Sequence, residues 1–410
     1  MSAINNKKFQ LMSVGLISSL MGVGQNGLIV SLPFLVEKSA FDLPTWSAII
    51  ALGSLLFLPS APFWGRYSDK NGPKKVVIQA LTGMTVSFSL LALFSMVSET
   101  GSDNIIICFI GLILARVIYG CTVSGMVPAS QHWAILLCGK HQKLRAISAV
   151  SIGLSCGRLI GPAVSILVLK FSPFAPLFIM ILLPFIALVI AVLIPIPSFE
   201  KSEINNKIDH KTWYPNKKLS PYLISGLLLC ASIALLQYSL SPLIHSFTDW
   251  PTERLSDAIG VLLTISAAVT LITQVWVIKK DKVTPQTMYG LGATLLLLGM
   301  LCFTISHLLA LGLAMALTAI GAALLVPAYT TSATEKLSSK PGTVAGYLSM
   351  SHTIGYGLAA TLAFSVVVNP LYPIYLCLIF SSMILCIAYW VKRGNSARSK
   401  NLQAKALGSV

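Results

Sequence analysis

The chain has 410 residues, 55% of them hydrophobic and 10% charged, with a mean hydropathy of +0.80. A water-soluble domain carries roughly a quarter charged residues, so this composition excludes an ordinary soluble globular protein. The net charge of +16 does not indicate nucleic acid as a partner, because Lys and Arg are confined to short tracts between apolar segments.

The apolar segments repeatedly reach the ~20 residues needed to cross a ~30 Å hydrocarbon core. Backbone polar groups must be satisfied internally there, which predicts helices; the ten-residue alternating runs of a membrane β-barrel are absent. In chain order the first half reads as spans 9–34, 45–64, 76–98, 105–128, 146–169 and 175–196. The second half reads as 219–244, 255–278, 286–308, 309–330, 342–368 and 371–391. The first apolar run has no small-residue cleavage site after it and is expected to be a retained helix rather than a signal peptide. The longest polar interruption, 198–218, is expected to be a cytoplasmic linker, with room for a short surface helix. The fold class is therefore all-α polytopic membrane protein: twelve transmembrane helices in two six-helix bundles, 1–197 and 219–392, followed by a cytoplasmic tail at 393–410. The eight cysteines, Cys108, Cys121, Cys138, Cys156, Cys230, Cys302, Cys377 and Cys386, form no CxxC pair and read as small apolar side chains.

Charge distribution orients the spans. With the N-terminus taken as inside, basic tracts fall on the same side at Lys7-Lys8, Arg66–Lys75, Lys140–Arg145, Lys201–Lys218, Lys279–Lys282, Lys336–Lys340 and Lys392–Lys405. They hold 24 of the 29 basic residues. Lys38, Lys170 and Arg254 fall outside, and Arg116 and Arg158 lie within spans. The positive-inside rule then predicts both termini on the cytoplasmic side. The outer loops carry Glu37, Asp42, Glu99, Asp103, Asp249 and Glu253.

The halves echo each other. Trp64, Asp69 and Pro73 recur at a constant offset as Trp276, Asp281 and Pro285. Val127-Pro128 returns as Val326-Pro327, and Ser31-Leu32-Pro33 is matched by Ser241-Pro242. Matches kept in order suggest six-helix repeats.

Between the second and third spans the chain reads Gly65-Arg66-Tyr67-Ser68-Asp69-Lys70-Asn71-Gly72-Pro73-Lys74-Lys75. One reading is a basic cytoplasmic turn. The other is a gate latch of Gly65, Arg66, Asp69, Gly72 and Lys74, in which Asp69 bonds free N–H groups at a helix end or pairs with a base. This loop resembles the signature loop of the major facilitator superfamily. Arg116-Val117-Ile118-Tyr119-Gly120 resembles that family's Arg-containing fourth-span motif. Gly153 and Gly157-Arg158-Leu159-Ile160-Gly161-Pro162 resemble the Gly-Pro motif of its drug:proton antiporter branch, which includes multidrug, tetracycline and siderophore exporters. The resemblance covers the whole chain and implies an exporter working by antiport. It departs at Ala163, where paired glycines are usual, and at Lys279-Lys280-Asp281-Lys282, which has lost the glycine pattern. Gly157, Gly161 and Pro162 read equally as close helix packing with a kink.

Arg116 and Arg158 lie near the middle of their spans, and no Asp or Glu does; Asp257 is only a few residues into the eighth span. An uncompensated Arg in hydrocarbon costs several kcal/mol, so both are expected to face a polar cavity and bind a carboxylate. The alternative for each is a structural arginine bonded to backbone carbonyls or glutamine. Further cavity candidates are Gln25, Asn26, Tyr119, Gln237, Tyr238, Gln274, Tyr329, Tyr347, Ser351, His352 and Tyr356. His352 reads as the one histidine well inside a span, and so as the candidate proton carrier, against a fixed hydrogen-bonding role. The partners implied are the lipid bilayer, a small anionic organic substrate and protons. A monomer without cofactor, metal or nucleic acid, in a bacterial inner membrane, is expected. Walker, HExxH and GxSxG motifs are absent, so an enzyme is not expected.

Overall fold

The computed structural model describes residues 7–99, 105–195, 215–279, 283–305 and 307–407. Most of the expected linker (198–214), the Lys280-Asp281-Lys282 tract and Asp103 lie outside the described residues. Fourteen α-helices run through them: α1 (Lys7–Lys38), α2 (Leu43–Leu55), α3 (Phe57–Asn71), α4 (Pro73–Glu99), α5 (Ile105–Val123), α6 (Met126–Cys138) and α7 (Lys143–Leu169), then α8 (Ala175–Leu193), α9 (Ser220–His245), α10 (Thr252–Lys279), α11 (Pro285–Cys302), α12 (Leu308–Lys336), α13 (Pro341–Leu362) and α14 (Tyr372–Leu407). They supply twelve stretches long and apolar enough to cross a membrane. This is an all-α multi-pass membrane protein.

Fourteen helices make twelve spans because two spans are broken, each by a proline. Proline removes the N–H that would bond the carbonyl four residues back. Pro59 does this to Leu55, where α2 ends, and Pro128 does it to Ser124, between α5 and α6.

Two spans run well past their expected ends, and the ninth, expected to reach 308, stops at Cys302. The second span continues to Asn71 and the fourth to Cys138, so most of the segment expected to be a loop, from Gly65 to Asn71, is helical. Polar residues do not by themselves end a helix. The end comes at Gly72, at φ 92°, with Pro73 opening α4; α6 ends likewise at Gly139, φ 87°. Both positions require the positive φ that glycine adopts freely. Helix α14 continues through most of the expected tail, to Leu407.

Other helix starts carry their own signals. Asp42 caps α2 by accepting a bond from Thr45 N–H at 3.0 Å, and Thr284 caps α11 through Thr287 N–H at 3.3 Å. Pro73 and Pro285, paired in the sequence repeat, each occupy the first position of a helix.

The chain divides into two compact units. The first comprises residues 1–214 with 337–353, and the second 215–336 with 354–410. Residues 337–353, expected in the second bundle, join the first unit. Inside the first unit α4 packs on α5 and α8, α2 on α5, and α1 on α6, α7 and α8. Inside the second most of this order returns: α11 packs on α12 and α14, α10 on α12, and α9 on α12 and α14. The recurring order gives the sequence repeat a three-dimensional counterpart. Trp46, Phe88 and Trp133 are fully buried in the first unit's core, and Tyr222, Tyr289 and Tyr329 in the second's.

Candidate functional site

The residues of the signature segment converge on the start of α13, within the first unit. Asp69 lies in the last turn of α3. Its Oδ1 accepts the Gly342 N–H at 2.7 Å, while Oδ2 accepts the Thr343 N–H and hydroxyl, each at 2.6 Å. The first N–H groups of a helix have no intrahelical acceptor and carry the positive end of its dipole. A carboxylate there makes short, charge-assisted bonds. The approach depends on glycine. A Cβ at Gly65 would strike the Gly342 carbonyl, and one at Gly346 would come within 2.5 Å of the Ala61 carbonyl.

Arg66 extends the cluster. Its guanidinium donates to the Tyr347 hydroxyl and lies 5.4 Å from that ring's centroid. Lys74 takes no part in it. Its ammonium donates to the Val192 and Ile194 carbonyls at 2.8 and 2.7 Å, closing the C-terminal end of α8, where a cation complements the dipole.

The three glycines of α7 share one face, at a spacing of four. A Cβ at Gly153 would overlap the Gly15 carbonyl, one at Gly157 the Ser19 carbonyl, and one at Gly161 would come within 2.8 Å of Val23 Cα. The Gly-rich stretch is therefore where α7 lies against the α1 backbone, as small residues allow in membrane bundles. Pro162 falls inside α7 without ending it.

The two arginines occupy different settings. Arg116 is 4% exposed. Its guanidinium sits 4.5 Å from the Tyr119 ring centroid, and its Nε and Nη2 would each lie 3.1 Å from a Cβ at Gly53 of α2. Tyr119 is itself held between Phe57 and Phe88, at centroid distances of 6.0 and 5.8 Å. Arg116 Nε and the Tyr119 hydroxyl have no hydrogen-bond partner among the described residues. The expectation of a cavity-facing Arg116 thus meets a guanidinium enclosed between α2 and α5. Arg158 instead lies on an exposed part of α7. Its carbonyl accepts the Asn26 side-chain amide at 3.0 Å, and its charge is within electrostatic range of His352. Gln25 is half-buried beside Asn26, and Tyr347 and Ser351 are buried on α13. The remaining candidates belong to the second unit. Tyr329 is fully buried, its ring 6.5 Å from Tyr289, and Gln274 is 5% exposed. Gln237, Tyr238 and Tyr356 are exposed. Among the described residues, no group of three or more His, Cys, Asp or Glu is placed to hold a metal ion.

The profile of the Major Facilitator Superfamily matches residues 14–360. The chain belongs to that superfamily. It is 25% identical over 163 residues to the staphyloferrin B transporter of Staphylococcus aureus (strain NCTC 8325 / PS 47), covering 38% of this chain and 36% of that one. It is 24% identical over 164 residues to the multidrug resistance protein MdtG of Proteus mirabilis (strain HI4320), covering 39% and 38%. The match thus spans little more than a third of each curated relative. Among solved structures the human organic anion transporter MFSD10 superposes with a TM-score of 0.69 at 17% identity, over 93% of this chain and 97% of that one. The fold is that of superfamily transporters rather than of enzymes.

Within this superfamily member, sequence reasoning passed over His132. It counted His352 as the one histidine well inside a span, but α6 runs to Cys138, and His132 is buried in it at 3% exposure. The apolar run Trp133–Cys138 just after it was the available signal. Ser68, Gly342 and Thr343 were also passed over. The Gly-Thr pair after Pro341 is an ordinary helix start until a carboxylate is found opposite.

Proposed function

We propose that this chain is a secondary active transporter that exports a small, polar, anionic metabolite by alternating access, with both termini on the cytoplasmic side of a bacterial inner membrane. One observation carries the substrate class. Arg158 is a mid-span guanidinium on an exposed part of α7, and it has no carboxylate partner among the described residues. A planar fork without a competing acid favours a carboxylate ligand, and Asn26, Gln25 and Ser351 supply neutral hydrogen-bonding groups on α1 and α13. Arg116, already stacked on Tyr119, serves the fold in this reading and not the ligand. A carboxylate siderophore is an attractive cargo, and similarity to a transporter named for one compound supports a specific metabolite.

Energy coupling follows from the same groups. His352, near Arg158, is the proposed proton-coupling residue. It loads and releases a proton as access alternates; alternatively the substrate's own charge supplies the coupling, because the membrane potential contributes about 2.3 kcal/mol per charge per 100 mV. The cluster of Asp69, Arg66, Gly65 and Gly342 is the proposed gate on the cytoplasmic side, and the α1–α7 glycine face a joint that moves with it.

The deciding experiment is efflux of a carboxylate ligand from proteoliposomes. Arg158→Ala should lower transport at least tenfold with a raised KM, and Arg158→Lys should recover part of it. Wild-type rates in Arg158→Ala would refute the anion site. A pH-gradient dependence that persisted in His352→Ala would remove His352 from coupling. Similarity to a multidrug resistance protein favours a second reading, efflux of drugs or antibiotics. Transport of lipophilic cations with no response to carboxylates would establish it. Accumulation of the anion against its own gradient under physiological potential and pH gradient would indicate an importer of organic anions.

A further inference from the structure

Behind the Asp69 cap lies a polar contact that the gate does not use directly. Ser68 and His132 are buried, at 0% and 3% exposure, and the Ser68 hydroxyl is 2.8 Å from His132 Nδ1. The same nitrogen is 3.6 Å from Asp69 Oδ1, too far for a hydrogen bond. His132 thus touches the residue before the capping carboxylate. Ser68 and Asp69 share the last turn of α3, which stops three residues later at Gly72.

Terminal turns fray, and this one must hold a carboxylate to tight tolerance. A helix with its side chains has a radius of about 5–6 Å, so rotating the turn by about 20° would carry Asp69 roughly 2 Å sideways. All three bonds to Gly342 and Thr343, at 2.6–2.7 Å, would be lost. A buried imidazole is costly unless it is hydrogen-bonded, and packing alone would be served by leucine.

The geometry points to His132 as a positioning residue for the Asp69 cap: through Ser68 it fixes the rotation of the last turn of α3, so that both carboxylate oxygens meet the start of α13. The functional meaning of this role rests on the proposed gate; the cap and its support do not.

The test is hydrogen exchange of the full-length protein in lipid nanodiscs, read at the Gly342 and Thr343 amides. Asp69→Asn sets the level of a broken cap. His132→Leu keeps volume and removes the bond, and should speed exchange at these amides at least tenfold. Peptides from the α1–α7 interface should stay protected. Asn at this position places an amide nitrogen near Nδ1, so His132→Asn should return exchange to within about threefold of wild type. If His132→Leu loosens the whole protein, Ser68→Ala removes the same bond from the other side with little change in volume, and should reproduce the local effect. Unchanged exchange in both His132→Leu and Ser68→Ala, or failure of His132→Asn to rescue, would overturn the assignment. Loss of the transport reading would leave this exchange pattern intact, so the two fail separately.

Discussion

Adding one methyl group to a glycine should have opposite effects at two places in this molecule. At Gly157 the new Cβ would overlap the Ser19 carbonyl oxygen of α1. That obstacle is backbone, so no side-chain rotation relieves it, and α1 and α7 must separate. At Gly290 in α11, apart from the glycine's own stretch of helix, no atom of the described residues lies within 4 Å of the Cβ position. Overpacking a filled interior costs typically about 1–3 kcal/mol, and a backbone clash belongs at the upper end. Alanine returns up to about 1 kcal/mol of helix propensity over glycine. The balance for Gly157→Ala is a loss of about 2 kcal/mol, roughly thirtyfold in the unfolding equilibrium. Gly290→Ala keeps only the favourable part, at most about 1 kcal/mol.

Equilibrium unfolding in mixed micelles with increasing SDS, followed by tryptophan fluorescence and circular dichroism, measures both. The midpoint should fall for Gly157→Ala and stay or rise for Gly290→Ala. A Gly157→Ala midpoint at or above wild type would refute the reading of this face as direct backbone contact.

The two arginines should separate in the same titration. Arg116→Ala forfeits a buried cation–π contact and opens a cavity, and should destabilise by about 2–4 kcal/mol; Arg158→Ala, on an exposed site, should stay within about 0.5 kcal/mol while losing anion efflux. Lys74→Met should raise hydrogen exchange over residues 190–195, because it removes the cation bonded to the Val192 and Ile194 carbonyls; unchanged exchange would show that α8 holds its end unaided. The Thr45 side-chain and backbone bonds hold the Asp42 carboxylate below its ordinary value of 3.8. A depressed folded pKa gives stability that is complete above the unfolded value and is lost as pH falls through the lower, folded one. Protection of the Thr45 amide should therefore fade only in that acid range, and Asp42→Ala should lack the transition.

The fold was legible because every residue of a span contributes to its signal. Twenty apolar side chains in a row need no partner to be recognised. What was misread were the ends. Gly65–Asn71 looks like a loop by polarity, yet α3 runs through it, because hydropathy reports where the hydrocarbon stops and not where the helix does. The actual stops, Gly72 and Gly139, are single residues whose backbone conformation counts for more than their polarity. The breaks at Leu55 and Ser124 are likewise written four residues downstream, in Pro59 and Pro128.

The candidate site was legible in its residues and not in their settings. Arg116 and Arg158 look alike in sequence, each a lone guanidinium in the middle of an apolar run. What divides them is which way each faces, set by about 100° of helix rotation per residue and by what lies opposite. Arg116 meets Gly53 and Tyr119, and its charge is spent inside the fold; Arg158 has its backbone carbonyl tied to Asn26 and no carboxylate partner for its guanidinium among the described residues. Asp69 presents the converse case. Its partners are 273 and 274 positions away, at a helix start with no unusual residues. A carboxylate in a basic segment announces that it needs a donor, and only the folded chain supplies the N-terminus of α13. The same logic places His132: a histidine near the end of a span looks peripheral until the helix beside it is found to carry, one residue past the contact, the carboxylate on which the start of α13 depends.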